Sequence, residues 1–221
     1  MISSATLQLI AIISMTIDHV GFYLFPDFVP LRCIGRLAFP LFAFLLVEGF
    51  RYTKSWRRYY MRLFYTAVIT QIISFFLSKV THTPYSYNVV FTFCFALLSL
   101  VLSKKGGACL VLIPILALIA GVFDCDYGVY GVFLIIGLYY TDRFFSDSLV
   151  LLNLSRLLIL IAMMLPLAQY NNWPIQNFAI AAIFPIMLYS GKKGTRLSRI
   201  FRYAYYPAHL LLILIVKLVF N

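Results

Sequence analysis

Six side chains of this sequence have the chemistry of a buried site. Asp18 and His19 stand side by side, Arg36 and Glu48 share the next apolar stretch, and Arg156 and His209 fall in later ones. A charge at mid-bilayer costs several kcal/mol, so ionisable groups in such stretches are the first functional candidates. Imidazole titrates near neutrality, which makes His19 the natural general base. Asp18 could hold a charge opposite Arg36. Adjacent residues of a helix point about 100° apart, so Asp18 is badly placed to orient its own neighbour. Either the two face different sides of one cavity or the helix is locally irregular. Each candidate also has a plainer reading. Asp18 and Arg36 could simply tie two helices, with His19 a satisfied hydrogen bonder. His209 follows Tyr205 and Tyr206 on one helical face, which also suits an interfacial aromatic belt. Arg156 reads as a snorkelling residue or a partner of Asn153. Asn88 and Thr92, one turn apart, could line a passage or act as interhelical glue.

The elements that must position these groups follow from composition. The chain has 221 residues, 63% hydrophobic and 11% charged, with a mean hydropathy of +0.94. Soluble domains carry about 25% charged residues, so a soluble globular enzyme and a disordered chain are both excluded. The expected fold is all-α: a polytopic integral membrane helix bundle, residues 1–221 forming a single transmembrane domain. The first apolar run is expected to be a span rather than a cleavable signal, since it lacks a basic lead and a small-residue cleavage site. Nine helices are expected, over 6–26, 33–51, 60–79, 87–103, 108–123, 127–142, 148–168, 173–190 and 203–220, with eight to ten as the range. Pro26, Pro30, Pro84, Gly106–Gly107 and Asn171–Pro174 supply the breaks. The four cysteines form no CxxC pair, so no metal site is expected. Cys33 and Cys125 could bridge, although four small apolar residues is the simpler reading.

Charge sets the sidedness. Of the 18 basic residues, 13 follow the second, fourth, sixth and eighth spans, from Arg51 and Lys54 through Arg143 to Arg196, Arg199 and Arg202. Positive residues favour the cytoplasmic side, so the N-terminus is expected there and the net charge of +11 needs no nucleic acid to explain it. At 1.5 Å per residue, Asp18 lies about 18 Å and Arg36 about 25 Å from the cytoplasmic ends, Glu48 about 8 Å and His209 about 9 Å. Two layers result: Asp18, His19 and Arg36 outside, Glu48 and His209 near the cytoplasmic mouth. Arg57, Arg58, Lys192 and Lys193 flank that mouth, where clustered cations suit a phosphorylated cofactor such as coenzyme A. No Gly-rich phosphate loop is present.

Beyond these chemical arguments, the first two apolar stretches resemble a known family. The run Leu9–Gly21 containing Asp18-His19-Val20-Gly21, and Gly35-Arg36-Leu37-Ala38-Phe39-Pro40-Leu41-Phe42 continuing to Phe50, are similar to the opening of the TraX family. Tyr59–Leu63, Asn88–Thr92, Tyr127–Gly131 and Tyr206-Pro207-Ala208-His209-Leu210 extend the likeness along nearly the whole chain. The resemblance implies a multi-pass protein of the bacterial inner membrane, linked to N-terminal acetylation of pilin. Phe39–Phe44 also looks like part of broader transmembrane acetyltransferases. The function so implied is acetyl transfer from cytosolic acetyl-CoA to an amine or hydroxyl, whether of a protein N-terminus, a sugar or a small amine. His19, Asp18 and Arg36 would then be catalytic, with Arg36 or an amide stabilising the oxyanion. Glu48, His209, Tyr206, Asn88 and the four basic residues at the mouth would hold the donor. A homodimer is compatible with this reading. The alternative is a proton-coupled transporter or channel that uses the same buried groups as a relay; a structural scaffold ranks third.

Overall fold

The computed structural model describes residues 1–195 and 198–220, together with the backbone but not the side chain of Arg199. Arg196, counted above among the basic loop residues, lies outside them. The elements are α1 (Ser4–Tyr23), α2 (Val29–Gly35), α3 (Ala38–Tyr52), α4 (Trp56–Thr81), α5 (Val89–Lys105), α6 (Leu112–Val122), α7 (Gly128–Phe144), α8 (Leu149–Tyr170), α9 (Ile183–Met187) and α10 (Arg199–Phe220). A 3₁₀ segment, Gly107–Val111, leads into α6, and a longer one, Pro174–Ala182, leads into α9. With α2 and α3 taken as one interrupted rod, nine rods run back and forth among the described residues. Five are long and apolar enough to cross a membrane: Ser4–Tyr23, Val29–Tyr52, Trp56–Thr81, Leu149–Tyr170 and Ile200–Phe220.

Local chemistry explains where the rods begin. Ser3, Ser55, Asn88 and Ser148 cap α1, α4, α5 and α8 by accepting from the backbone N–H of Thr6, Arg58, Val90 and Leu151. The break between α2 and α3 falls just before Pro40, whose missing N–H leaves the Arg36 carbonyl without its helical donor. Several rods start earlier than hydropathy predicts. Arg57 and Arg58 lie in the first turn of α4, Arg32 within α2, and Arg202 in the first turn of α10. Long basic side chains let a helix continue past the apolar zone.

Two backbone pairings mark the two ends. Ile2 donates to the Leu188 carbonyl at 2.7 Å and accepts from Ser190 N–H at 2.9 Å, joining the start of the chain to the turn after α9. At the other end, Tyr87 and the 124–126 turn exchange bonds of 3.2 and 2.8 Å. The first pairing stands at the end that carries most of the basic residues, hereafter the basic end. Between the ends, Leu7, Phe44, Leu97, Ile135 and Leu160 belong to one continuous core. Large apolar side chains such as Leu118, Leu158 and Leu212 lie on the outside, a surface that suits lipid. All four cysteines are free, so Cys33 and Cys125 are not bridged.

The basic end is clamped by buried charge. Asp142 of α7 receives Arg156 of α8 through Nε at 2.9 Å and Nη2 at 2.6 Å. Arg51 of α3 lies 2.9 Å from its second oxygen and 3.0 Å from Glu48, and Tyr189 donates to Glu48 at 2.8 Å. The partner of Arg156 is therefore Asp142 rather than Asn153, and its guanidinium also lies over the Phe44 ring. Removing one member of a buried pair costs about 3–5 kcal/mol because the other charge is stranded. Asp142→Ala is therefore expected to lower the thermal midpoint of the detergent-solubilised protein sharply. Arg51→Ala should lower it much less, because the Arg51 side chain is 30% exposed. Heating followed by size-exclusion chromatography reads both.

Candidate active site

Asp18 lies in the fourth turn of α1 and is held by two arginines. Arg32 donates through Nη1 to its Oδ2 at 2.8 Å and to its backbone carbonyl at 3.0 Å. Arg36 Nη2 donates to Oδ1. Arg36 also donates to the Arg32 carbonyl and to Gln176 Oε1, each at 3.3 Å, and to the Tyr127 hydroxyl at 3.5 Å. Both guanidiniums lie over the Trp173 ring, at 4.9 and 4.8 Å, and Arg32 is flanked on its other side by Phe22 at 4.6 Å. The expected Asp18–Arg36 pair is thus present. Arg32, expected in a loop, completes it. Its place one turn before Arg36 on the same helical face was the available signal.

This approach depends on Gly35. A Cβ there would run into the Asp18 carboxyl and Cβ, so α1 and α2 can close around the carboxylate only at a residue with no side chain.

His19 faces another side of α1, toward α10. Its Nδ1 lies 2.7 Å from His209 Nε2. The Tyr206 ring sits 5.7 Å from His19 and 5.5 Å from His209, and the Tyr205 ring stacks on His209 at 5.4 Å. The Tyr205 hydroxyl lies 2.8 Å from Thr16 Oγ1, which bonds back to the Ile12 carbonyl at 2.9 Å. The expected two-layer division fails for His209. It joins His19 instead of Glu48, because α10 begins at Arg199 and carries His209 about one turn deeper than a start at 203 would.

A cavity of about 390 Å³ runs from the basic end to Tyr205 and Tyr206, within the size range of small-molecule sites; His19 and His209 lie behind these tyrosines and do not themselves line it. Ser4, Tyr52, Lys193 and Arg202 line it at the basic end, and Met15 and Tyr206 line it deeper in. Glu48 and Tyr189 also border it. Among the described residues, no carboxylate lies within ion-pair distance of Arg62, Lys193 or Arg202, all three of which line the cavity. Lys193 stands over the Tyr52 ring at 5.3 Å, and Arg62 donates to the Tyr203 hydroxyl at 3.2 Å. Of the basic residues predicted to hold a donor, only Lys193 reaches the lining. Arg57, Arg58 and Lys192 are exposed and stay outside it. Asn88 is consumed by structure: its amide donates to the Ala67 carbonyl and Gln71, and its oxygen accepts from Val90. Thr92 donates to the Asp126 carbonyl at 2.6 Å, so both members of that pair join helices and loops. Among the described residues, no cluster of His, Cys, Asp or Glu could hold a metal.

With this geometry described, comparison with known proteins is decisive. The family described as TraX protein matches residues 3–217. The chain belongs to the TraX family. It is 31% identical to a probable fimbrial assembly protein FimC, serogroup H1, of Dichelobacter nodosus, over 98% of this chain and 96% of the relative. A 44-residue stretch, 20% of this chain and 18% of the relative, is 48% identical to an uncharacterized protein of Rickettsia prowazekii. No solved structure matches.

For this TraX-family chain the Asp18 cluster gives a direct test. Gly35→Ala should force α1 and α2 apart and lower the thermal midpoint by several degrees, about the effect of Asp18→Asn, which strands a guanidinium. The double variant should lose little more than either single change, because both act on one contact. Thermal unfolding of the four proteins in one detergent measures this, and full additivity would show that Gly35 does not act through Asp18.

Proposed function

We propose that this chain is a multi-pass membrane acyltransferase of the bacterial inner membrane, with its basic end in the cytoplasm and acetyl-CoA as its donor. One observation carries the reading: a single cavity joins three cations, which have no acidic partner among the described residues, to the tyrosines packed on two facing imidazoles. The phosphates of the donor suit Arg62, Lys193 and Arg202, since phosphate binding favours charge-assisted donors. The extended pantetheine arm then follows the cavity toward Met15 and Tyr206.

In the chemistry that follows, His19 takes a proton from the acceptor amine or hydroxyl as that group attacks the thioester carbonyl. The new N–C or O–C bond forms, the C–S bond breaks, and coenzyme A leaves as its thiol after taking back a proton. Tyr206, beside both imidazoles, offers a hydroxyl donor for the developing oxyanion. Arg36 is a poor candidate for that role, because it does not line the cavity and its donors go to Asp18, Gln176, Tyr127 and the Arg32 carbonyl. The D. nodosus relative is described as a fimbrial assembly protein, so the free amine of a fimbrial subunit N-terminus is the acceptor to try first.

The test uses the full chain in lipid nanodiscs with radiolabelled acetyl-CoA and a short peptide bearing a free N-terminal amine. Saturable binding and peptide-dependent release of coenzyme A are expected. Arg62→Glu or Lys193→Glu should weaken binding about tenfold, or about 1.4 kcal/mol. His19→Ala should retain binding and lose at least about a hundredfold in transfer. Failure of the unmodified protein to bind acetyl-CoA overturns the reading.

A further inference from the structure

The hydrogen bonds around His209 determine which nitrogen of His19 can act. A carbonyl oxygen only accepts, and the Tyr205 carbonyl lies 3.0 Å from His209 Nδ1. That nitrogen therefore carries a proton. In a neutral ring the lone pair is then on His209 Nε2. This same Nε2 lies 2.7 Å from His19 Nδ1, so the proton of that contact belongs to His19 Nδ1. One ring nitrogen of the pair, His19 Nε2, is left with a lone pair and no partner within the dyad.

The arrangement is held from several sides. Tyr205, whose carbonyl starts the chain of bonds, is fastened to α1 through Thr16, three residues before His19. Tyr206 lies against both rings. His209 is buried, so water does not compete freely for its nitrogens.

We propose that His209 is a positioning residue for His19: with the Tyr205 carbonyl it locks His19 in the Nδ1–H tautomer and presents Nε2 as the proton acceptor. The proposal rests on the reading of His19 as the base. When Nε2 takes the acceptor's proton, the Nδ1–H bond to His209 Nε2 becomes charge-assisted and shortens. No other bond is made or broken in this step. His209 therefore acts through another residue, as the third member of a nucleophile–base–orienter arrangement does, rather than by touching the donor.

The chain has three histidines, which makes a spectroscopic test practical. His82→Gln removes the third ring, and imidazole-¹⁵N labelling reports the other two in nanodiscs. Protonated Nδ1 and unprotonated Nε2 are expected on the neutral rings of both His19 and His209, with a coupling across the bond between them. His209→Ala should release His19 to the Nε2–H tautomer. In the peptide assay His209→Ala should lower kcat about tenfold to a hundredfold with the KM for acetyl-CoA unchanged, and His209→Gln, which keeps an acceptor, should recover part of it.

An Nε2–H His19 in the unmodified protein would overturn the proposal, and that measurement needs no variant to fold. A His19 tautomer indifferent to His209→Ala would overturn it as well. If the tautomers are as stated but no coenzyme A is released, the dyad stands and the acyl-transfer reading falls.

Discussion

A carboxylate buried in an apolar bundle must be met by cations, and Asp18 is met by two. Their demand sets the local architecture. Arg32 and Arg36 sit one turn apart, on α2 and at the break that follows it, so that both reach one side chain of α1. Gly35 lies between them and allows the close approach. Trp173 and Gln176 complete the setting from the segment that leads into α9. Once Asp18 faces α2, the rotation of about 100° per residue turns His19 away from it. The neighbour then meets α10. The two adjacent residues divide the work: one ties helices, and the other packs on His209 and Tyr206, the latter a residue of the cavity wall.

Asp142 does a similar job at the basic end. It holds Arg156 and Arg51, and through Glu48 the network extends to Tyr189. Charge is thus concentrated at two levels, each closed by its own pairs. The cavity begins near the second level and ends below the first. Its deep part is lined by Met15, Phe93 and Tyr206, groups that offer an acyl chain apolar walls and one hydroxyl. Its mouth keeps Arg62, Lys193 and Arg202 free of carboxylates among the described residues. Pairing the acids elsewhere is what leaves those cations available.

Much of this was legible in the sequence. The number of rods followed from apolar runs and breakers, and the Asp18–Arg36 contact followed from depth. The misplacement of Arg32 and of His209 has one physical cause. Hydropathy marks where a segment stops being apolar, whereas a helix ends only where its backbone bonds end. Basic side chains can extend to the interface while their backbone stays helical. Hydropathy therefore places Arg32 in a loop, whereas it lies in α2 and pairs with Asp18. The start of α10 was placed four residues late, which put His209 in the wrong layer. Arg62 and Arg202, counted only as topology signals, turned out to line the cavity, while Arg57 and Arg58 did not. No sequence rule gives the side of a helix on which such a residue faces a cavity; the packing of α4 against α10 decides it. The Asp142–Arg156 pair is legible in principle, as two opposite charges on consecutive rods, but a carboxylate at a span end gives no sign of burial in the sequence alone.

The same charges bear on the choice between acyl transfer and transport. A transporter must open a path from one end to the other. None of Asp18, Arg32, Arg36, Trp173 or Gln176 lines the cavity, and together they stand at its far side as a paired plug. Opening it would separate Asp18 from two buried guanidiniums, and breaking even one such pair costs about 3–5 kcal/mol. The substrate would have to repay that cost on every cycle. Acyl transfer makes no such demand, since the paired cluster can stay closed throughout the reaction. Rigidity at the plug then helps, because a fixed α1 holds His19 against His209 while the donor enters and leaves.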